Sequence, residues 1–150
     1  MEKVFISHNE QETANIAEKV AQISVAGDVW ALSGTLGAGK SVFARAFIQK
    51  LTAAEDVPSP TFTLVQMYHA AHFDIYHYDF YRLKSPMDIF ELGVEEAFYT
   101  AVNLVEWPEK MENFAPRDMW NVKIEIEGDV RKITISAPTD DKNARLENIG

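Results

Sequence analysis

The 150-residue sequence predicts a single α/β domain in which one mixed parallel and antiparallel sheet is flanked by helices. Three observations predict it. The apolar run VWAL (29–32) passes through a glycine-rich turn into a helical pattern, which gives a strand–loop–helix unit. The segments around 61–65 and 73–81 are β-branched and aromatic and are joined by a short polar link, which suggests an antiparallel pair. Residues 121–137 alternate apolar and polar about Gly128-Asp129, the pattern of a hairpin.

Each element has its own signal. KVFIS (3–7) reads as a short strand. Ile16, Ala17, Val20 and Ile23 keep the spacing of a helix with one buried stripe over 9–24. Two overlapping capping boxes open that helix, Ser7 with Glu10 and Asn9 with Glu12. VWAL is apolar at consecutive positions, as a strand buried on both faces should be. Phe43, Ala44, Phe47, Ile48 and Leu51 then resume helical spacing. VPSPTFTLV (57–65) begins as a proline-fixed loop and reads on as a strand, followed by FDIYHYDFY (73–81). In SPMDIFELGVEEAF (85–98), Ser85 is placed to cap a helix and Pro86 to occupy its first position. VNLVEW (102–107) is a further buried strand, and PEKMENF (108–114) a short helix or turn. Residues 1–137 form the expected domain, and the polar segment 138–150 is expected to be a loose tail. The three tryptophans are expected in or at the edge of the core.

Composition excludes several functions. With no cysteine, disulfides, thiolate metal sites and cysteine nucleophiles are all ruled out. The net charge of −9, from 14 Lys+Arg against 23 Asp+Glu, disfavours unaided binding to nucleic acid, which normally needs a basic footprint. No apolar run has the length of a membrane span and the N-terminus has no apolar signal core, so a cytoplasmic protein is expected. His69, His72 and His77 lie close in sequence but lack the spacing of a zinc site, and read as surface or strand residues.

The chemistry starts at GTLGAGKS (34–41), which fits G-x-x-x-x-G-K-[ST] with Gly34, Gly39, Lys40 and Ser41. Glycines let successive backbone N–H groups turn inward on phosphate oxygens, and the following helix adds its positive end. Lys40 would reach the β- and γ-phosphates, and the Ser41 hydroxyl would bind Mg²⁺. A chance match in this length is on the order of one in two hundred, and the strand-before, helix-after context argues further for a P-loop. Such a loop also requires an acid at the end of a neighbouring strand. Glu106 follows the cleaner buried strand and is preferred beside the metal; Asp79 then positions water or stands in an outer metal shell. Thr61, in Ser59-Pro60-Thr61, is either a γ-phosphate sensor or part of an ordinary turn. No N-K-x-D segment for guanine is present, which points to ATP.

In order and spacing, GTLGAGKS, SPTFTLV, HYDFYRL (77–83), ELGVEEAF (91–98) and LVEWPEK (104–110) resemble the TsaE (YjeE) family over about residues 7–137. These are small bacterial P-loop ATPases needed for the threonylcarbamoyl modification of tRNA adenosine 37. The resemblance implies a P-loop NTPase-like fold that binds ATP and Mg²⁺ through Gly34, Gly37, Ala38, Gly39, Lys40 and Ser41. It implies Ser41 and Glu106 as metal ligands, Asp79 as a catalytic or nucleotide-site acid, and Thr61 in a switch-like loop. Glu10, Glu109 and Arg131 are the matching nucleotide-side residues. It also implies TsaD and TsaB as partners, with tRNA reached only through that complex, which accommodates the acidic charge. Thr35 stands where the family loop commonly has aspartate, and Ser41 where threonine is commoner. A small-molecule kinase on the same loop, or a nucleotide-dependent interaction module with incidental hydrolysis, are the competing expectations.

Overall fold

A computed structural model describes residues 1–35 and 37–150; Leu36 of the glycine loop lies outside the described residues. Among the described residues seven strands form one sheet: β1 (Glu2–Ser7), β2 (Val29–Gly34), β3 (Val65–His69), β4 (Asp74–Asp79), β5 (Val102–Glu106), β6 (Trp120–Glu127) and β7 (Val130–Ser136). Their order is β1-β7-β6-β2-β5-β4-β3. β2 lies parallel to both β5 and β6, and β4 is parallel to β5. The β3–β4, β6–β7 and β1–β7 pairs are antiparallel, so the sheet is mixed as the sequence predicts. The helices are α1 (Glu10–Ile23), α2 (Lys40–Leu51), α3 (Val94–Thr100) and α4 (Asn143–Glu147). Among the described residues no helix is long and apolar enough to cross a membrane.

The sheet divides two cores because alternate residues of a strand face opposite sides. On one side Ile16, Ala17 and Val20 of α1 and Phe43, Phe47 and Ile48 of α2 cover Leu32, Ile75, Leu104 and Val122. Trp30 and Trp120, paired in register across β2 and β6, stack at 4.5 Å within this layer. On the other side Ile89, Val94, Ala97 and Met111 cover Val29, Tyr78, Phe80 and Val105. Burial pushes the Tyr78 phenol above the usual tyrosine range, so that ring serves as neutral packing.

Of the two capping boxes expected at α1, neither forms as written. The Asn9 side chain accepts the Glu12 N–H at 2.9 Å, but Glu12 reaches back to the N–H of His8, at 2.8 Å, rather than to that of Asn9. Donation from the His8 N–H is the main reason the Glu12 carboxyl sits below the usual range. The Ser7 hydroxyl is engaged with the Asn9 carbonyl and with Thr13, which leaves Glu10 out of the cap.

Three elements differ from expectation. Residues 61–64 do not join a strand: Leu64 sits at φ 68° and β3 begins only at Val65. The turn is held by Leu64 N–H to the Pro60 carbonyl and by Asp79 N–H to the Leu64 carbonyl, at 2.6 and 3.0 Å. The helix expected over 85–98 is broken at Gly93 (φ 75°) into a 3₁₀ segment, Pro86–Leu92, and α3. The third is the tail, which is neither loose nor detached from the domain.

Leu146 and Ile149 are fully buried in the α1/α2 core. The Arg145 guanidinium donates two 2.8 Å bonds to the buried Asp28 carboxylate and lies 5.0 Å from the Trp120 ring. Lys3 donates to the carbonyls of Glu147 and Ile149. Two apolar residues, one fork-shaped cation and the Lys3 bonds together dock a segment that is otherwise polar. Arg145→Ala would strand the Asp28 charge, and a loss of about 2–4 kcal/mol is expected, read as a lower urea midpoint at unchanged slope.

Candidate functional site

The glycine loop bends because its glycines adopt backbone angles closed to other residues. Gly34 ends β2 at φ 140°, and a side chain there would collide with the Ile124 carbonyl of β6. Gly39, at φ 117°, turns the chain into α2. The first N–H groups of α2 have no partner within the helix. That end of α2 lines a cleft of about 490 Å³, together with Glu10, Gly37, Gly39, Lys40, Ser41, Thr61, Asp79, Tyr81, Glu106 and Trp107. This is the size of a cavity for a small ligand.

The two acids reach the cleft through the sheet. Asp79 and Glu106 are partners in the β4–β5 register, at the ends of adjacent parallel strands. They are 5% and 6% exposed, so two carboxylates are largely withdrawn from water at one wall. Asp79 accepts from the Thr61 hydroxyl at 3.0 Å and from the Tyr81 N–H at 2.9 Å. Thr61 in turn bonds to the Ser59 hydroxyl at 2.7 Å. The 59–64 turn is therefore fastened to a site acid, and its neighbour Phe62 is 81% exposed.

Arg131 of β7 lies in an adjoining hollow of about 180 Å³ with Ala38, Glu10 and Asp129. Its Nε–H donates to the Ala38 carbonyl at 3.2 Å, so it braces the glycine loop. Gly34 and Glu109 line a separate groove with Thr35, Trp107 and the end of β6. Ten of the twelve expected residues thus line the cleft or the adjoining hollow, while Gly34 and Glu109 lie in the separate groove.

The TsaE model, described as threonylcarbamoyl adenosine biosynthesis protein TsaE, matches residues 7–133. The chain belongs to the TsaE family. A tRNA threonylcarbamoyladenosine biosynthesis protein TsaE from Rickettsia felis is 41% identical over 124 residues, 82% of this chain and 72% of the relative. The protein of the same name from Bacillus subtilis is 37% identical over 131 residues, 86% of this chain and 82% of the relative. The crystal structure of Bacillus subtilis YdiB superposes with a TM-score of 0.84 at 30% identity, covering 99% of this chain and 94% of the other.

In this TsaE-family site two residues make contacts that sequence did not foresee. Trp107 lies at the edge of the core as expected, partly buried against the cluster of Tyr78 and Met111. There it takes a left-handed conformation (φ 58°, ψ 51°) and lays its ring 4.2 Å from the Lys40 ammonium. A bulky residue there is strained; the left-handed turn follows directly on the end of β5, and the indole lines the cleft. His77 was expected as a surface or strand residue; it is in β4 but buried, with Nε2 2.7 Å from Glu106 Oε2. For Trp107 the signal pointed the other way, since the Pro108 that follows it favours an extended backbone. None was available for His77, whose partner is 29 residues away.

The donor set suits Mg²⁺. The hard oxygen donors on hand are two buried carboxylates and, at the start of α2, the Ser41 hydroxyl, a combination that leaves room for the waters and phosphates Mg²⁺ retains.

Proposed function

We propose that this TsaE-family protein binds ATP with Mg²⁺ and hydrolyses it to ADP and phosphate in support of the threonylcarbamoyl modification of tRNA adenosine 37. The observation that carries it is the cleft in which Lys40 and Ser41, at the head of α2, face two buried carboxylates from adjacent parallel strands. The backbone N–H groups of the loop and of the first turn of α2 cradle the phosphates. The Lys40 ammonium neutralises charge on the phosphoryl being transferred. Ser41 and Glu106 would hold Mg²⁺, which supplies further neutralisation of the β- and γ-oxygens. Asp79, fixed by Thr61 and the Tyr81 N–H, orients the attacking water. Glu10 and Arg131 flank the nucleotide side, and Glu109 borders it from the neighbouring groove.

TsaD and TsaB are the partners in this proposal, in the cytoplasm, with tRNA held by the complex and not by this acidic chain. The exposed Phe62 next to Thr61 favours a second element: nucleotide state, felt at Asp79, is relayed to a partner-facing loop. Hydrolysis is expected to be slow alone and to rise with the partner pair and tRNA. The test is release of phosphate from ATP by the purified protein, with and without TsaD, TsaB and tRNA, in Mg²⁺ and in EDTA. Absence of Mg²⁺-dependent release under every condition would overturn the proposal, and ATP-dependent phosphorylation of an added small molecule would favour a kinase.

A further inference from the structure

We infer that His77 is a positioning residue that fixes the orientation of the Glu106 carboxylate through an Nε2–H bond. This rests on the assignment of Glu106 to the metal side of the site. In the β4–β5 register His77 lies opposite Leu104 and Asp79 opposite Glu106. Alternation then puts His77, Asp79 and Glu106 on the same face as Ile75 and Leu104 of the α1/α2 core. His77 is one step deeper than the acids, with 3% of its side chain exposed against 7% for Glu106.

The two acids are not supported alike. Asp79 has a donor on each carboxylate oxygen, from Thr61 and from Tyr81. Among the described residues the Glu106 carboxylate has a single hydrogen-bond partner, His77, on Oε2. A glutamate side chain has three rotatable bonds, so that one contact decides where its other oxygen points.

The ring's proton can be assigned from the same geometry. His77 Nδ1 is buried with no partner among the described residues. A proton on Nδ1 would bury an unsatisfied donor and set the Nε2 lone pair against a carboxylate oxygen at 2.7 Å. A proton on Nε2 avoids both. It donates to Oε2, holds that oxygen, and leaves Oε1 for the cleft, the arrangement by which outer groups orient metal ligands.

The experiment compares His77→Gln, which keeps a side-chain N–H donor, with His77→Met, which has similar bulk and none. Mn²⁺ affinity is measured by electron paramagnetic resonance in the full chain, saturated with a non-hydrolysable ATP analogue. Nucleotide affinity is measured separately in EDTA. His77→Met is expected to bind Mn²⁺ about 10–100-fold more weakly, His77→Gln to stay within about threefold of wild type, and metal-free nucleotide affinity to be unchanged in both. Wild-type Mn²⁺ affinity in His77→Met, or equal losses in both variants, would overturn the inference.

Glu106→Gln separates it from the assignment on which it rests. If Glu106→Gln loses Mn²⁺ affinity and His77→Met does not, only the role of His77 fails. Unchanged affinity in Glu106→Gln removes the metal-side assignment and the inference with it. Should His77→Met not fold, the ¹⁵N shifts of His77 in the wild-type protein decide: a proton on Nε2 supports the inference and a proton on Nδ1 overturns it.

Discussion

Lys40→Ala is expected to lower ATP turnover by between two and three orders of magnitude, about 3–4 kcal/mol of barrier. Among the described residues the lysine is the one cation that lines the cleft, and it is only 6% exposed. Its ammonium rests against the Trp107 ring, and no acid forms an ion pair with it among the described residues. Burying a charge on an aromatic face alone is a weak compensation for lost hydration. The same substitution should therefore leave the unfolding midpoint unchanged or raise it. Phosphate release at the wild-type rate by a well-folded Lys40→Ala protein would sink the proposed activity.

Asp79→Asn is the second large effect, and it differs in kind. The amide oxygen can still accept from the Tyr81 N–H, and the amide N–H can still meet the Thr61 hydroxyl, which accepts as well as donates. The 59–64 turn should stay fastened and ATP should still bind. What is lost is the negative charge that orients the attacking water, and turnover should fall by about 10²-fold or more. Asp79→Ala, by contrast, also frees Thr61 from the site acid, although the backbone bonds at Leu64 remain. If ATP loading alone controls assembly with TsaD and TsaB, Asp79→Asn should assemble normally and Asp79→Ala should not. Pull-down in saturating ATP would read the difference, and assembly by both variants would show that the 59–64 turn does not transmit nucleotide state.

What sequence could reveal follows from how locally each feature is specified. The glycine loop was legible because its determinants are consecutive, and VWAL because burial on both faces leaves no polar position in the run. Thr61 was ambiguous because its partner, Asp79, is 18 residues away. The stretch TFTLV looks like a strand on composition, but the Thr61–Asp79 bond and the left-handed Leu64 hold it as a turn until Val65. The break at Gly93 within 85–98 was visible as a glycine, yet the apolar spacing on either side resembled one helix. In the tail, the polar majority concealed Leu146, Ile149 and an arginine whose carboxylate partner is 117 residues earlier. His77 was the least legible of all, since its meaning depends on the β4–β5 register and no property of its own segment encodes that.

The central place of β2 has a consequence for how the chain comes to be folded. The strand that carries the glycine loop has been made by residue 34, but its two neighbours are β5, at 102–106, and β6, at 120–127. Among the described strands, β1 precedes all others in sequence and pairs with β7, which follows them all. A nascent chain emerging from the ribosome therefore holds β1, α1, β2 and α2 with no sheet for them to join. Apolar residues such as Trp30 and Leu32 wait for partners some seventy or more positions downstream. Pairings of such long sequence separation slow folding and prolong exposure to aggregation. The cleft, whose wall is closed by Glu106, is thus assembled late, and the phosphate cradle acquires its acids only after β4 and β5 have emerged.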